Sequence, residues 1–198
     1  MHGRAFGRAH ITHKDEQVDH LLFRFRSLGG GAVDRSVASK VSLPVRMVRA
    51  WRLARATAGA FGRVNAGGDF IVGPRFSVTR GRSFSAGDRV SVGADFRCMA
   101  NAEIGDDVMI SSAVAFIGDD HPFSDPGKTI QQQEPRPPAC IRVEGNNLIG
   151  YGSILMGSIT IGRGAIVGAG SLVTSDLPPD MVCAGRPARP IRKRYEDS

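Results

Sequence analysis

The 198-residue chain has no run of 18 apolar residues, so it offers no segment long enough to cross a bilayer as a helix. One Trp and two Tyr leave little for a base-stacking platform, and no nucleic-acid-binding module is recognisable; nucleic acid is not an expected partner. The three cysteines, Cys98, Cys140 and Cys183, are odd in number and show neither CxxC nor Cys/His spacing. They predict free thiols in a reducing compartment, with no disulfide framework and no metal site. Residues 1–20 are polar and charged and lack the apolar core of a secretory signal, so the cytoplasm is the expected location. Histidine is scarce: four of the five, His2, His10, His13 and His20, lie in those first residues at spacings that match no metal site. Lysine is scarcer, with 4 Lys against 22 Arg, and the net charge of +7 favours anions such as head groups or a phosphorylated cosubstrate.

What the chain does have is a ruler. Val143, Ile149, Leu155, Ile161, Val167 and Val173 are spaced by six, and the spacing returns as Val92, Cys98, Ile104, Ile110 and Phe116 and as Val72, Val78 and Phe84. An amphipathic helix repeats at about 3.6 residues and an alternating strand at two, so neither fits. A β-sandwich would show alternation and strands at wider spacing. Period six is the mark of a hexapeptide β-helix, in which three hexads close one triangular coil and the aliphatic points to the axis. Fourteen hexads predict fewer than five coils, with Cys98 as a small core hydrophobe. Gly follows the ruler residue at Gly73, Gly93, Gly105, Gly150, Gly162 and Gly168, and is expected there to supply corner backbone angles. The phase shifts predict two extra residues near Val90 and a long interruption between Phe116 and Val143.

The expected organisation is an all-β solenoid over residues 64–190, interrupted by a loop at 117–142, with a mostly helical extension over 1–63 and a basic tail over 191–198. In the extension, Val18, Leu21, Leu22, Phe25 and Leu28 form one helical face ended by Gly29, Gly30 and Gly31. A second helix is predicted after Pro44, carrying Arg46, Arg49, Arg52 and Arg55 around Val48, Trp51 and Leu53. It suits packing over an open end of the prism, or peripheral contact with the anionic inner face of a membrane. A short prism with flat sides is also expected to self-associate.

Chemistry is expected in the interruption, because loops this long inside a compact domain are usually functional. It holds His121, the single histidine of the solenoid portion, among Asp119, Asp120 and Asp125. A histidine beside carboxylates is the composition of a general base, since a carboxylate fixes the tautomer and stabilises the imidazolium.

The run from Ile149 through Thr174, followed by Asp176-Leu-Pro-Pro and Ala184-Gly-Arg-Pro-Ala-Arg, resembles the C-terminal half of hexapeptide-repeat acyltransferases. The closest likeness is to the branch with galactoside and maltose O-acetyltransferases and polysaccharide O-acetyltransferases, over roughly residues 70–192. The resemblance implies a left-handed parallel β-helix and a homotrimer with sites between subunits. It implies transfer of an acetyl or other short acyl group from acyl-CoA to a hydroxyl of a sugar, polysaccharide or glycolipid, with acetyl-CoA as co-substrate and no metal. The family's His-Pro falls on His121 and Pro122, making His121 the base with Asp119 or Asp120 to orient it. Tyr151 matches the backbone N–H donor to the oxyanion, in place of a common Ser. Ala169 and Thr174 match contacts along the pantetheine, and Arg189 and Arg192 contacts near the phosphates; a common Lys after that Thr is Ser175. On the acceptor side register puts Met99 where relatives carry Asn, leaving Asn101, two residues on, and Asp125 as candidates. A γ-class carbonic anhydrase would need three histidine ligands, and a nucleotidyltransferase a phosphate-cradling N-terminal domain. N-acylation of an amino sugar and a noncatalytic scaffold remain as alternatives.

Overall fold

A computed structural model describes residues 63–118 and 121–195, together with four upstream helical positions, Met47, Val48, Trp51 and Ala54. Those four fall in the stretch after Pro44. The helix expected from Asp15 and the arginines at 46, 49, 52 and 55 lie outside the described residues. Among the described residues no helix is long and apolar enough to cross a membrane.

Residues 64–185 wind as a three-sided parallel β-helix of about six turns. Sheet I stacks Val64–Ala66, Phe84–Ala86, Asn101–Ile104, Cys140–Val143 and Ile159–Ile161. Sheet II stacks Ile71–Val72, Ser91–Val92, Met109–Ile110, Leu148–Ile149, Ile166–Val167 and Met181–Gly185, and sheet III stacks Ser77–Val78, Arg97–Cys98, Ala115–Ile117, Ile154–Met156 and Leu172–Val173. Ala188–Lys193 then turns back antiparallel on Met181–Gly185 and closes the last edge. The coil count exceeds the sequence expectation because both end coils break the ruler: Ala66 stands where a branched aliphatic was sought, and Cys183 follows Val173 out of phase.

Every ruler residue is buried, at 5% exposure or less. A second inward position lies two residues earlier in each hexad. It is filled by Phe76, Val90, Phe96, Val108 and Val114 in the early coils, and later by Ile141, Ile159 and Ala165 together with the polar Asn147, Ser153 and Ser171. The late polar groups are satisfied: Asn147 Nδ2 donates to the Gly162 and Ala165 carbonyls at 2.7 and 3.0 Å, and its Oδ1 accepts from Gly145 N–H. Unpaired, each such group would cost roughly 1–3 kcal/mol in the core. In the early coils Phe70, Phe76, Phe84, Phe96 and Phe116 form one contiguous aromatic stack, with centroid separations of 5.1–6.2 Å.

The glycines after the ruler do a different job from the one expected. Gly73, Gly150 and Gly162 are not in the left-handed region; a Cβ on any of them would come within 2.5 Å of the next coil's backbone nitrogen, at Ala94, Ala169 and Pro179 respectively. They are there because adjacent coils approach closely. The left-handed residue comes two positions later, at Asp95 and Asp107 with φ of 60° and at Gly170 with φ of 68°. Short polar side chains tolerate that region better than most, which explains why several corners dispense with glycine.

Register also relocates the two inserted residues. Phe84 pairs with Ala102, not Ile104, and Ala86 takes the ruler place; the extra pair therefore lies between Val78 and Phe84, around Gly81, and not near Val90. With that correction the spacing across the I–II and II–III corners is six in every coil. Only the III–I corner varies, spanning eight residues from Val78 to Ala86, 27 from Phe116 to Val143 and four from Val173 to Leu177. One edge of the prism absorbs all the irregularity.

Charged pairs tie coils together on the outside. Arg75 pairs with Asp95, Arg89 with Asp107 at 2.6 Å, and Arg142 with Glu103 at 2.8 Å. Hydrogen bonds from Arg75 and Arg89 hold the Asp95 and Asp107 carboxyls below the usual carboxylate range. A depressed folded-state pKa adds stability above the unfolded value, and that stability is lost as pH falls through the folded one. The melting temperature should therefore fall as pH drops below about 4, and Asp107→Asn should shrink the fall between pH 7 and pH 3. An unchanged acid slope in that variant would exclude this pair as a contributor.

Candidate active site

The long loop leaves sheet III after Ile117 and rejoins sheet I at Cys140, so it springs from the variable III–I corner. Its root is tight: a Cβ on Gly118 would fall 2.6 Å from the Ala100 Cβ and 2.7 Å from the Ala139 Cβ. His121 is exposed, Pro122 buried and Phe123 exposed, in a segment without regular secondary structure. Asp119 and Asp120 lie outside the described residues. Asp125 braces the loop: its Oδ1 accepts from Gly127 N–H at 2.9 Å, and its N–H donates to Gln133 Oε1 at 3.2 Å. A 3₁₀ turn over Ile130–Gln132 and the Arg136 guanidinium 5.9 Å from the Phe123 ring centre complete the bracing.

Asn101 opens a sheet I strand beside the returning loop, its N–H donating to the Ala139 carbonyl at 2.9 Å. Its Oδ1 accepts from both Ser83 N–H and Ser83 Oγ at 3.0 Å, which ties the carbonyl half of the amide to the preceding coil. Thr174 is exposed at the same III–I corner, just past Leu172–Val173.

Tyr151 and Ala169 sit on the other edge of sheet III, at the II–III corner, one coil apart. This corner differs from the I–II corner in its backbone. There, side chains cap the turn amides: Asp88 Oδ1 takes Gly68 N–H, Asp106 Oδ1 takes Asp88 N–H and Glu144 Oε2 takes Arg163 N–H, at 2.6–2.9 Å. At the II–III corner Ser112 Oγ caps Ala94 N–H at 3.1 Å, but among the described residues the N–H groups of Ser112, Tyr151 and Ala169 enter no hydrogen bond. The Ser112 and Tyr151 carbonyls do, accepting from Gly152 N–H and Gly170 N–H, so the amides are held on a rigid column. A column of outward donors on fixed backbone suits an amide-rich or oxyanionic ligand, because no reorganisation is needed to present them. Tyr151 and Ala169 are positions that the family resemblance singles out; Ser112 is not, since hydrogen-bond vacancy has no signature in residue type.

The final hairpin supplies the cations. Arg186 Nε donates to the Gly170 carbonyl at 2.7 Å and anchors the hairpin turn to the amide column. Arg189 and Arg192 lie on the returning strand, exposed, each with one guanidinium nitrogen on a local carbonyl. Arg194 reaches back to the Asn146 and Gly164 carbonyls at 2.8 Å, which fixes the end of the strand. Within one chain, then, His121, Asn101 and Thr174 share one edge of sheet III, and Tyr151, Ala169 and the arginine hairpin share the other or lie beyond it. Among the described residues no three His, Cys, Asp or Glu side chains gather into a metal-binding group. Burial pushes the Cys98 thiol up to about 12, so it stays a neutral core group, as its ruler position implied.

The fold is that of the left-handed β-helix acetyltransferases. A hexapeptide-repeat acetyltransferase from Vibrio cholerae, solved with acetyl coenzyme A, superposes with a TM-score of 0.65 over 79% of this chain and 92% of that one, at 24% identity. The relatives in sequence are acetyltransferases too. Galactoside O-acetyltransferase of Escherichia coli is 32% identical over 118 residues, 56% of this chain and 57% of that enzyme. The polysialic-acid-specific acetyltransferase NeuO is 27% identical, with a TM-score of 0.57 over 68% of this chain and 63% of that one. The chain spans little more than half the length of the curated relatives it matches first. No protein-family model matches it.

Proposed function

We propose that the protein transfers an acetyl or other short acyl group from acyl-CoA to a hydroxyl of a sugar, polysaccharide or glycolipid. The carrying observation is the column of unused N–H groups at Tyr151 and Ala169, on a fold whose relatives are acetyltransferases. In this reading the amides of the pantetheine arm lie along the II–III corner and meet Ala169 N–H. Tyr151 N–H faces the thioester oxygen, and Arg189 and Arg192 meet phosphate. Because the His121 loop leaves from the opposite edge of sheet III, a neighbouring copy brings the base to the amide column, in keeping with the homotrimer with shared sites that the family resemblance implies.

The chemistry is one displacement. His121 accepts the proton of the acceptor hydroxyl as its oxygen attacks the thioester carbon. Negative charge develops on the carbonyl oxygen, where the preorganised Tyr151 N–H stabilises it more than it stabilises the ground state. Collapse breaks the C–S bond; the imidazolium returns the proton to the departing thiolate, and the products are CoA and an acyl ester. Asp125, which braces the loop, keeps His121 in place, and the Asn101 Nδ2 is the donor left over for the acceptor.

The test is thiol release from acetyl-CoA with neutral sugars, amino sugars and glycolipids as acceptors. Release matched by an acetyl ester is expected with a hydroxyl acceptor. Acetylation confined to amines would turn the reading to N-acylation, and no release with any acceptor would overturn it in favour of a scaffold.

A further inference from the structure

Of the six described phenylalanines, five make the core stack and Phe123 alone is out, 68% exposed. Its place is specific. Burial alternates along residues 121–123: Pro122 is buried and its two neighbours are exposed, so His121 and Phe123 both lie on the solvent side of the loop. The Phe123 ring is not left to move freely: the Arg136 guanidinium stands 5.9 Å from its centre, a cation–π distance, from the other arm of the loop. Between the arms, the Asp125–Gln133 hydrogen bond holds the two strands of loop together. The sequence thus leaves a large apolar surface in water beside the candidate base and fixes it there, where burying it against the core would have been more favourable.

We infer that Phe123 is the acceptor-binding platform of the site, stacking against the C–H face of a pyranose ring so that one ring hydroxyl is presented to His121. This rests on the acyl-transfer reading and narrows it: the acceptor is cyclic, with an apolar face. One side of a pyranose carries mainly axial C–H groups and makes a flat apolar patch of about the area of a phenyl ring. An acyclic polyol has hydroxyls of similar reactivity and no such face. The ring removes apolar area on both partners from water and imposes orientation, while the hydroxyls stay at the rim for polar groups such as Asn101 Nδ2. Sequence reasoning passed over Phe123 because an aromatic in a loop carries no motif; the burial alternation around Pro122 is what singles it out.

The experiment compares methyl β-galactopyranoside with sorbitol as acceptors at saturating acetyl-CoA, in the full chain, for the wild type, Phe123→Ala and Phe123→Trp. Aromatic stacking contributes about 0.5–1.5 kcal/mol beyond area burial. Phe123→Ala should therefore lower kcat/KM for the pyranoside about tenfold, mainly through KM. Sorbitol should change less than about twofold and the KM for acetyl-CoA not at all, and Phe123→Trp should restore the pyranoside. Equal losses on both acceptors, or no loss on the pyranoside, would overturn the platform. If the wild type acetylates neither these nor any other sugar, it is the acyl-transfer reading that fails. A wild-type melting temperature in the alanine variant is expected, and a large drop would make Phe123 structural and end the inference.

Discussion

His121→Ala is expected to lower acetyl transfer at least about a hundredfold, the usual contribution of a positioned general base. The loss should appear in kcat, with the KM for acetyl-CoA nearly unchanged, because in the proposed arrangement the Tyr151 and Ala169 amides and the Arg189 and Arg192 guanidinium groups hold the CoA without His121. The side chain is exposed, so the substitution opens no cavity in the core, and Asp125, Gln133 and Arg136 still brace the loop. Its melting temperature should stay within a degree or two of wild type, about the resolution at which a surface change is felt in a chain of this size. Retention of near-normal turnover would refute the base assignment, and loss of both activity and stability would make His121 a structural residue.

The second large effect is on stability and falls at Phe96. The ring is fully buried, stacked on Phe76 at 5.4 Å and meeting Phe84 and Phe116 edge-on at 5.8 and 5.1 Å. Its alanine variant leaves a cavity bounded by three other rings, which can close only if adjacent coils collapse toward the axis. The sheets prevent that, since Arg97–Cys98 is hydrogen-bonded to strands on both sides. A loss of about 3–5 kcal/mol is expected, seen as a melting temperature lower by roughly 10 °C. A drop of a degree or two would show that the early coils relax where the geometry says they cannot.

The two phenylalanines show how far residue type can be read. Phe96 was not on the ruler, yet it is as deeply buried as any residue that was, because the hexad has a second inward position two residues before the first. Period six finds the first position by its constant branched aliphatics. The second is disguised, since its occupant ranges from Phe, Val and Ile to Ala, Asn and Ser. The ruler therefore fixed the handrail of the fold but missed the coil at each end, where Ala66 and Cys183 replace the aliphatic. It misplaced the small insertion for the same reason: Phe84 is apolar and six residues beyond Val78, but it sits in the second position, and only strand register shows it.

The candidate site was legible in part. His121 is visible as the lone histidine of the repeats, in the one long break. Tyr151, Ala169 and Thr174 came from resemblance alone, because what recommends the first two is a backbone N–H that the coils leave unused, and that depends on neighbouring carboxylates. At the I–II corner Asp88, Asp106 and Glu144 cap the turn amides; at the II–III corner Ser112 caps one and no side chain caps the next three. Such a difference is a property of the stacked coils, and no single hexad contains it. The same holds for the concentration of all irregular spacing at the III–I corner, which leaves two corners regular enough to display a straight column of donors and one free to carry the loop.

Backbone amide exchange with and without acetyl-CoA decides whether the II–III amide column is the acyl-CoA site. Acetyl-CoA is expected to slow exchange at Tyr151 and Ala169 and to leave the capped amides of Asp88 and Arg163 as they were. Protection confined to the I–II corner, or none at Tyr151 and Ala169 at saturating acetyl-CoA, would contradict it.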